Sequence, residues 1–151
     1  AYDTALEDIF RACGPTPGVL TVLGQLQQQQ RPYCMGTSGR RHFTHVKNTA
    51  AGIAPFFPDG LVFTGEQVPH GKPAPDLFLF AAAQMGFAAN QCVVVEDAVT
   101  GVQAAVAAGM PVLGYIGADH DGVRADLLRQ AGANTILEHH DQLLEAIDAL
   151  G

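Results

Sequence analysis

The sequence predicts an α/β protein, a doubly wound, Rossmann-like parallel sheet. Three observations carry that expectation. Short apolar runs of strand length alternate with stretches whose apolar residues recur at helical spacing. The strand-like runs are apolar at both alternating positions, as in parallel strands covered on two faces. A glycine stands just past most helical stripes, where a left-handed C-terminal residue is needed.

The elements follow in order. Residues 1–13 stand outside the rhythm, with Leu6, Ile9 and Phe10 suggesting a helix that packs on something. The run GPTPGV, 14–19, breaks the chain and starts a helix with Val19, Leu20, Leu23 and Leu26 on one stripe and Gln27 to Gln30 at its solvated end. The first strand is expected over 33–37. Phe43, Val46 and Ala50 then form a helical stripe closed by Gly52. A strand over 61–64 precedes the stripe Leu77, Phe80, Ala81 and Met85, closed by Gly86. The strand 92–96 precedes Val102, Ala105 and Val106, closed by Gly109. The strand 111–116 can only start at Pro111, which has no ladder donor. Val123, Leu127 and Leu128 lead to Gly132, and a strand over 134–137 precedes a last helix lined by Leu143, Leu144 and Ile147. There is no internal repeat.

Composition narrows the function. The 151 residues have the size of one ordinary domain, and 48% are hydrophobic. The net charge of −7, with 8 Lys and Arg against 15 Asp and Glu, argues against a nucleic-acid partner, which needs basic patches. No apolar run reaches membrane-spanning length, so no membrane partner is expected. Cys13, Cys34 and Cys92 form no CxxC pair and no zinc pattern, and the last two sit in apolar runs. They are expected to be buried thiols in a reducing cytoplasm. His42 and His45 lack the i, i+4 spacing of two ligands on a helix. His139 and His140 are expected to be exposed, and His70 lies in the same loop as Lys72.

In open α/β sheets ligands bind at the carboxyl ends of the strands. Three polar groups are expected there: Thr37 and Ser38 after the first strand, Lys72 after the second, and Glu96 and Asp97 at the end of the third. Each alone has an ordinary explanation. Thr37 or Ser38 would cap the next helix, Lys72 would be a surface lysine, and Asp97 would be an N-cap. Together, a hydroxyl, a cation and an acidic pair at one sheet edge suit a phosphate and a divalent metal. Without a bound cation the adjacent carboxylates would repel.

The order Thr37, then GKPAPDLF, then VVVEDAVTGVQAAVAAGM resembles motifs of the haloacid dehalogenase (HAD) superfamily. Within it the sequence is most similar to the β-phosphoglucomutase and pseudouridine-5′-phosphatase group. The resemblance implies a HAD-type core over 14–151, with 1–13 the remnant of a helical cap. It implies that Thr37 and the Ser38 backbone N–H bind the transferring phosphoryl group and that Lys72 stabilises its charge. Asp97 would ligate Mg²⁺ with Glu96 assisting. The implied activity is Mg²⁺-dependent hydrolysis of a small phosphorylated metabolite, a sugar phosphate or nucleotide, through an aspartyl-phosphate.

That chemistry also requires a DxDG motif ending the family's first strand, and no apolar strand ending in DxDG precedes Thr37. Asp119-His120-Asp121-Gly122 imitates the motif, but at a position where the resemblance places only a loop, so an Asp- and Gly-rich turn is expected. This chain is therefore expected to be the C-terminal part of the enzyme. The alternatives are a catalytically inactive fragment or phosphate-binding module, and a phosphomutase of the same family. A phospho-receiver domain fits less well, because its acidic pair comes first in the chain and here the order is Thr, Lys, acids. The resemblance places the absent strand between 33–37 and 92–96. Unpaired buried backbone groups cost about 1–3 kcal/mol each. A gapped sheet is therefore not expected: an N-terminal segment fills it, or the flanking strands close up or pair with another copy of the chain.

Overall fold

The computed structural model describes residues 14–117 and 122–151. The helix expected within 1–13 and the Asp119–Asp121 turn lie outside those residues. Along the described chain five short strands alternate with six α-helices, in the predicted order. They are α1 (Val19–Gln28), β1 (Met35–Thr37), α2 (Arg41–Ala50), β2 (Val62–Thr64), α3 (Asp76–Met85), β3 (Val94–Glu96), α4 (Val99–Ala107), β4 (Val112–Tyr115), α5 (Val123–Ala131), β5 (Thr135–Leu137) and α6 (Leu143–Ala149).

Every pairing is parallel. β1 pairs with β2, with Thr37 opposite Thr64. β4 lies between β3 and β5, with Glu96 opposite Gly114 and Tyr115 opposite Leu137. Alternation along β4 sends its neighbours to opposite faces. Val112 packs with Val102, Ala105 and Leu128 from α4 and α5, whereas Leu113 packs with Val22 and Leu143 from α1 and α6. Helices thus cover both faces of β4, the doubly wound arrangement predicted. Gly114 has a packing reason: a Cβ there would meet Ile136 Cδ1 at 2.8 Å and Leu128 Cδ1 at 3.1 Å. A smaller core of Phe63, Leu77 and Ala81 lies under the β1–β2 pair.

The expected glycine terminations are found at Gly52, Gly86, Gly109 and Gly132, all with positive φ. The sequence did not announce the 3₁₀ turns that connect several elements. In three of them a glutamine side chain reaches back to backbone N–H groups: Gln67 Oε1 accepts from Thr64 N, Gln91 Oε1 from Ala88 N, and Gln142 Oε1 from both Glu138 N and His139 N, all within 3.0 Å. Another correction concerns His140, expected to be exposed. It is half-buried, stacks on Tyr115 with ring centroids 4.2 Å apart, and shares a 2.8 Å hydrogen bond with Thr16 Oγ1. Cys34 and Cys92 are likewise half-buried rather than fully enclosed.

The strands are shorter than expected, and coverage on two faces fails at two of them. β1 is half-buried along its length, and Val95 in β3 is 41% exposed. The reason is the sheet topology. Among the described residues β1–β2 and β3–β4–β5 form separate sheets, and no strand lies between β1 and β3. The expectation that this chain would not stand as a gapped sheet is not met: among the described residues β1 and β3 neither pair nor close up, and no other strand fills the space between them. The gap opens into a cleft instead, where water can reach the edge groups, so they do not carry the full penalty of buried, unpaired ones.

Candidate functional site

The cleft between β1 and β3 has a volume of about 590 Å³, and Thr37, Ser38, Lys72, Glu96 and Asp97 all line it. Each reaches it by a different local device. Thr37 ends β1, and its Oγ1 accepts a hydrogen bond from Gly39 N at 3.0 Å, which folds the chain into a tight loop with Ser38 exposed at its tip. Neither residue caps α2. The N-cap of that helix is Arg40, without a capping side chain, and the orphan N–H of Arg41 donates to Glu66 Oε2 at 2.9 Å. The Arg41 side chain donates in turn to Val62 O and Gln67 Oε1. The tips of β1 and β2 are thereby joined beside the cleft.

Lys72 stands in the loop between β2 and α3, where His70 Nδ1 lies 3.1 Å from Oδ2 of Asp76, the first residue of α3. It is not the surface lysine that its isolated sequence position suggests. Its ammonium donates to Gly36 O at 3.1 Å and to Glu96 Oε1, and lies 4.7 Å above the centre of the Phe78 ring. Lys72 and Glu96 are 9% and 10% exposed, so this is a buried ion pair that fixes a cation against the backbone of β1 and the end of β3. One side chain thus spans the gap between the sheets.

The two acids are not equivalent. Glu96 turns inward to Lys72. Asp97 is exposed at the cleft and has no ion-pair partner among the described residues. It is not an N-cap, because the N-cap of α4 is Ala98, without a capping side chain. The donor set suits a hard cation. Mg²⁺ takes one or two protein carboxylates and fills its remaining positions with water and substrate phosphate. Among the described residues no third acidic, His or Cys side chain joins the pair to make an all-protein cage.

Sequence reasoning missed part of the lining. Arg40, Thr44, Lys47 and Asn48 from the start and inner face of α2 line the cleft, as does Thr100 from α4. Arg40 was legible only as a neighbour of the hydroxyl pair. The others become site residues through the packing of their helices, which spacing alone does not reveal.

Hexitol phosphatase A of Escherichia coli is 39% identical over 98 residues, which are 64% of this chain and 44% of that protein. The fructose-1-phosphate phosphatase YqaB of the same organism is 42% identical over 81 residues, 54% of this chain and 42% of its own. The chain therefore spans less than half the length of these two relatives. A HAD family hydrolase from Deinococcus radiodurans, solved with bound phosphate and sodium, superposes with a TM-score of 0.80 at 34% identity, over 88% of this chain and 58% of that one. Residues 2–109 match the family model described as haloacid dehalogenase-like hydrolase. That model covers more than half of the chain, and this chain belongs to the haloacid dehalogenase-like hydrolases.

Proposed function

We propose that this chain carries the phosphate- and cation-binding part of a Mg²⁺-dependent phosphatase acting on a small sugar or sugar-alcohol phosphate. The observation that supports this most is the convergence of Thr37, Ser38, Lys72, Glu96 and Asp97 on one cleft at the carboxyl ends of the strands. The names of the two relatives support the substrate class. In this reading the Thr37 hydroxyl and the Ser38 N–H bind two phosphoryl oxygens. Lys72, already held on Gly36 O and Glu96, offsets their charge. Asp97, with Glu96 beside it, holds Mg²⁺, which neutralises phosphate charge when bound. A carboxylate nucleophile forms a P–O bond as the ester P–O bond breaks, the leaving oxygen takes a proton from a general acid, and water then hydrolyses the aspartyl-phosphate.

Nucleophile and general acid belong to a further strand seated between β1 and β3, supplied by a preceding segment of the protein; pairing with another copy of the chain would fill the gap without supplying them. Residues 1–13 are the end of a cap and 14–151 the core. The compartment is the cytoplasm, in keeping with Cys34 and Cys92 as free thiols.

Phosphate release from fructose 1-phosphate, a hexitol phosphate and p-nitrophenyl phosphate, measured on the intact protein with Mg²⁺ and with chelator, tests the reading. Release that requires Mg²⁺ is expected. No release from any of them overturns it, and conversion of a sugar phosphate to an isomer without release points to a mutase. The chain of residues 1–151 alone is expected to be inert. Slower amide exchange at 35–37 and 94–96 in the intact protein than in this chain would locate the added strand.

A further inference from the structure

We propose that Gly101 is a positioning residue of the site: its missing Cβ is the seat of the Glu96 carboxylate, which it keeps on Lys72 so that Asp97 is the acid left open to the cleft. The inference rests on the reading of this cleft as a phosphatase site.

Gly101 is the third residue of α4 and is buried. Glycine is a poor choice there on conformational grounds, since a helix interior favours alanine. Its φ is not positive, so no special backbone geometry requires it. What requires it is space. A Cβ built on Gly101 would overlap the Glu96 carboxylate, with Cδ and both oxygens inside any permitted contact distance. The chain turns back between β3 and α4, so the first turn of the helix comes to lie under the Glu96 side chain. Gly24, in the middle of α1, shows the contrast: a Cβ there meets nothing within 4 Å.

The consequence is specific to Glu96. With a methyl group at position 101 the carboxylate must leave its seat, and the space that remains on its other side is the cleft, where Asp97 stands. Lys72 would lose its anionic partner and two negative charges would crowd the position meant for one cation.

The test uses the intact protein with three variants, Gly101→Ala, Glu96→Ala and their combination, and Gly24→Ala as a helix control. Thermal melting reads the seat directly. In the Glu96→Ala background the seat is empty, so Gly101→Ala should raise Tm by roughly 2–4 °C, as Gly24→Ala does in either background. With Glu96 present, Gly101→Ala should lower Tm instead. A purely helical role would not reverse sign. The second readout is competitive acetylation by acetic anhydride. Lys72 labelling relative to Lys47 should rise about threefold or more in Gly101→Ala and in Glu96→Ala, with no further rise in the combination. If Gly101→Ala fails to fold while the combination folds, the seat is confirmed by rescue. A Tm change of one sign in both backgrounds, unchanged Lys72 labelling, or failure of both variants to fold overturns the proposal. Phosphate release by the unsubstituted protein is measured alongside. Its absence defeats the phosphatase reading, while melting and labelling still decide whether Gly101 seats Glu96.

Discussion

The centre of the three-stranded sheet and the strands that flank the cleft differ in what their residues are for. In β4, Val112 and Leu113 are fully enclosed by helices on opposite faces. In the strands that flank the cleft, β1 is half-buried along its length, Val95 of β3 is 41% exposed although Val94 before it is buried, and the polar groups at the ends of both strands line one shared space. One region is organised by packing and the other by charge: a buried ammonium on a carbonyl and a carboxylate holds the edges in register across the gap. Substitutions in the first should act on stability, and substitutions in the second on chemistry.

The sharpest break is expected at Lys72, where both consequences meet. Lys72→Met should lower phosphate release about 10²–10³-fold in the intact protein, the scale for losing one aligned donor to a developing charge. It should also cost about 3–5 kcal/mol of stability in denaturant melts, because it leaves the 10%-exposed Glu96 without its cation. Adding Glu96→Gln should return much of that stability without returning activity. If activity returned with stability, Lys72 would be a structural residue only.

Leu113→Ala should cost about 2–5 kcal/mol, the range for truncating a fully buried leucine. Val95→Ser, in the cleft, should cost less than about 1 kcal/mol. Equal costs would mean that β3 is as well covered as β4 in the intact protein.

A smaller effect, confined to chemistry, is expected at Asp97. Asp97→Asn should raise the Mg²⁺ concentration for half-maximal activity by at least roughly tenfold and leave melting nearly unchanged. Asp119→Asn and Asp121→Asn should alter neither. Loss of turnover in Asp121→Asn alone would transfer the nucleophile to that turn.

The smallest expected effects are pH-dependent and lie away from the cleft's acids. Burial lowers the pKa of His140 from its ordinary 6.5. Below that pH the unfolded chain takes up a proton that the folded chain resists, so stability should fall as pH drops from 6.5, and His140→Phe should flatten the decline. Burial first, and the neighbouring Cys92 second, push the Cys34 thiol up to about 11 from 9.0. The unfolded chain releases that proton first, so stability should fall between pH 9 and 11, and alkylation of Cys34 by iodoacetamide at pH 8 should be slow. A melting temperature flat across both windows would contradict these assignments.

The sequence by itself determined the alternation of strands and helices, the glycines that end the helices and the polar groups due at the strand tips. These follow from local periodicity and from the backbone limits of single residues, so neighbours in the chain suffice to reveal them. It also placed Thr37, Ser38, Lys72, Glu96 and Asp97 together, because a parallel sheet brings every strand's carboxyl end to one edge. Tertiary structure alone decided the rest. Thr37 and Asp97 turned out not to be helix caps, since Glu66 reaches α2 from another loop and the N-cap of α4 is Ala98. His140 became half-buried because Tyr115 and Thr16, distant in sequence, meet at its ring. The inequality of the two acids and the need for glycine at 101 arise from one contact between a strand end and the helix that follows it. Such contacts depend on volume and distance in space, and a linear pattern of residue types does not encode either.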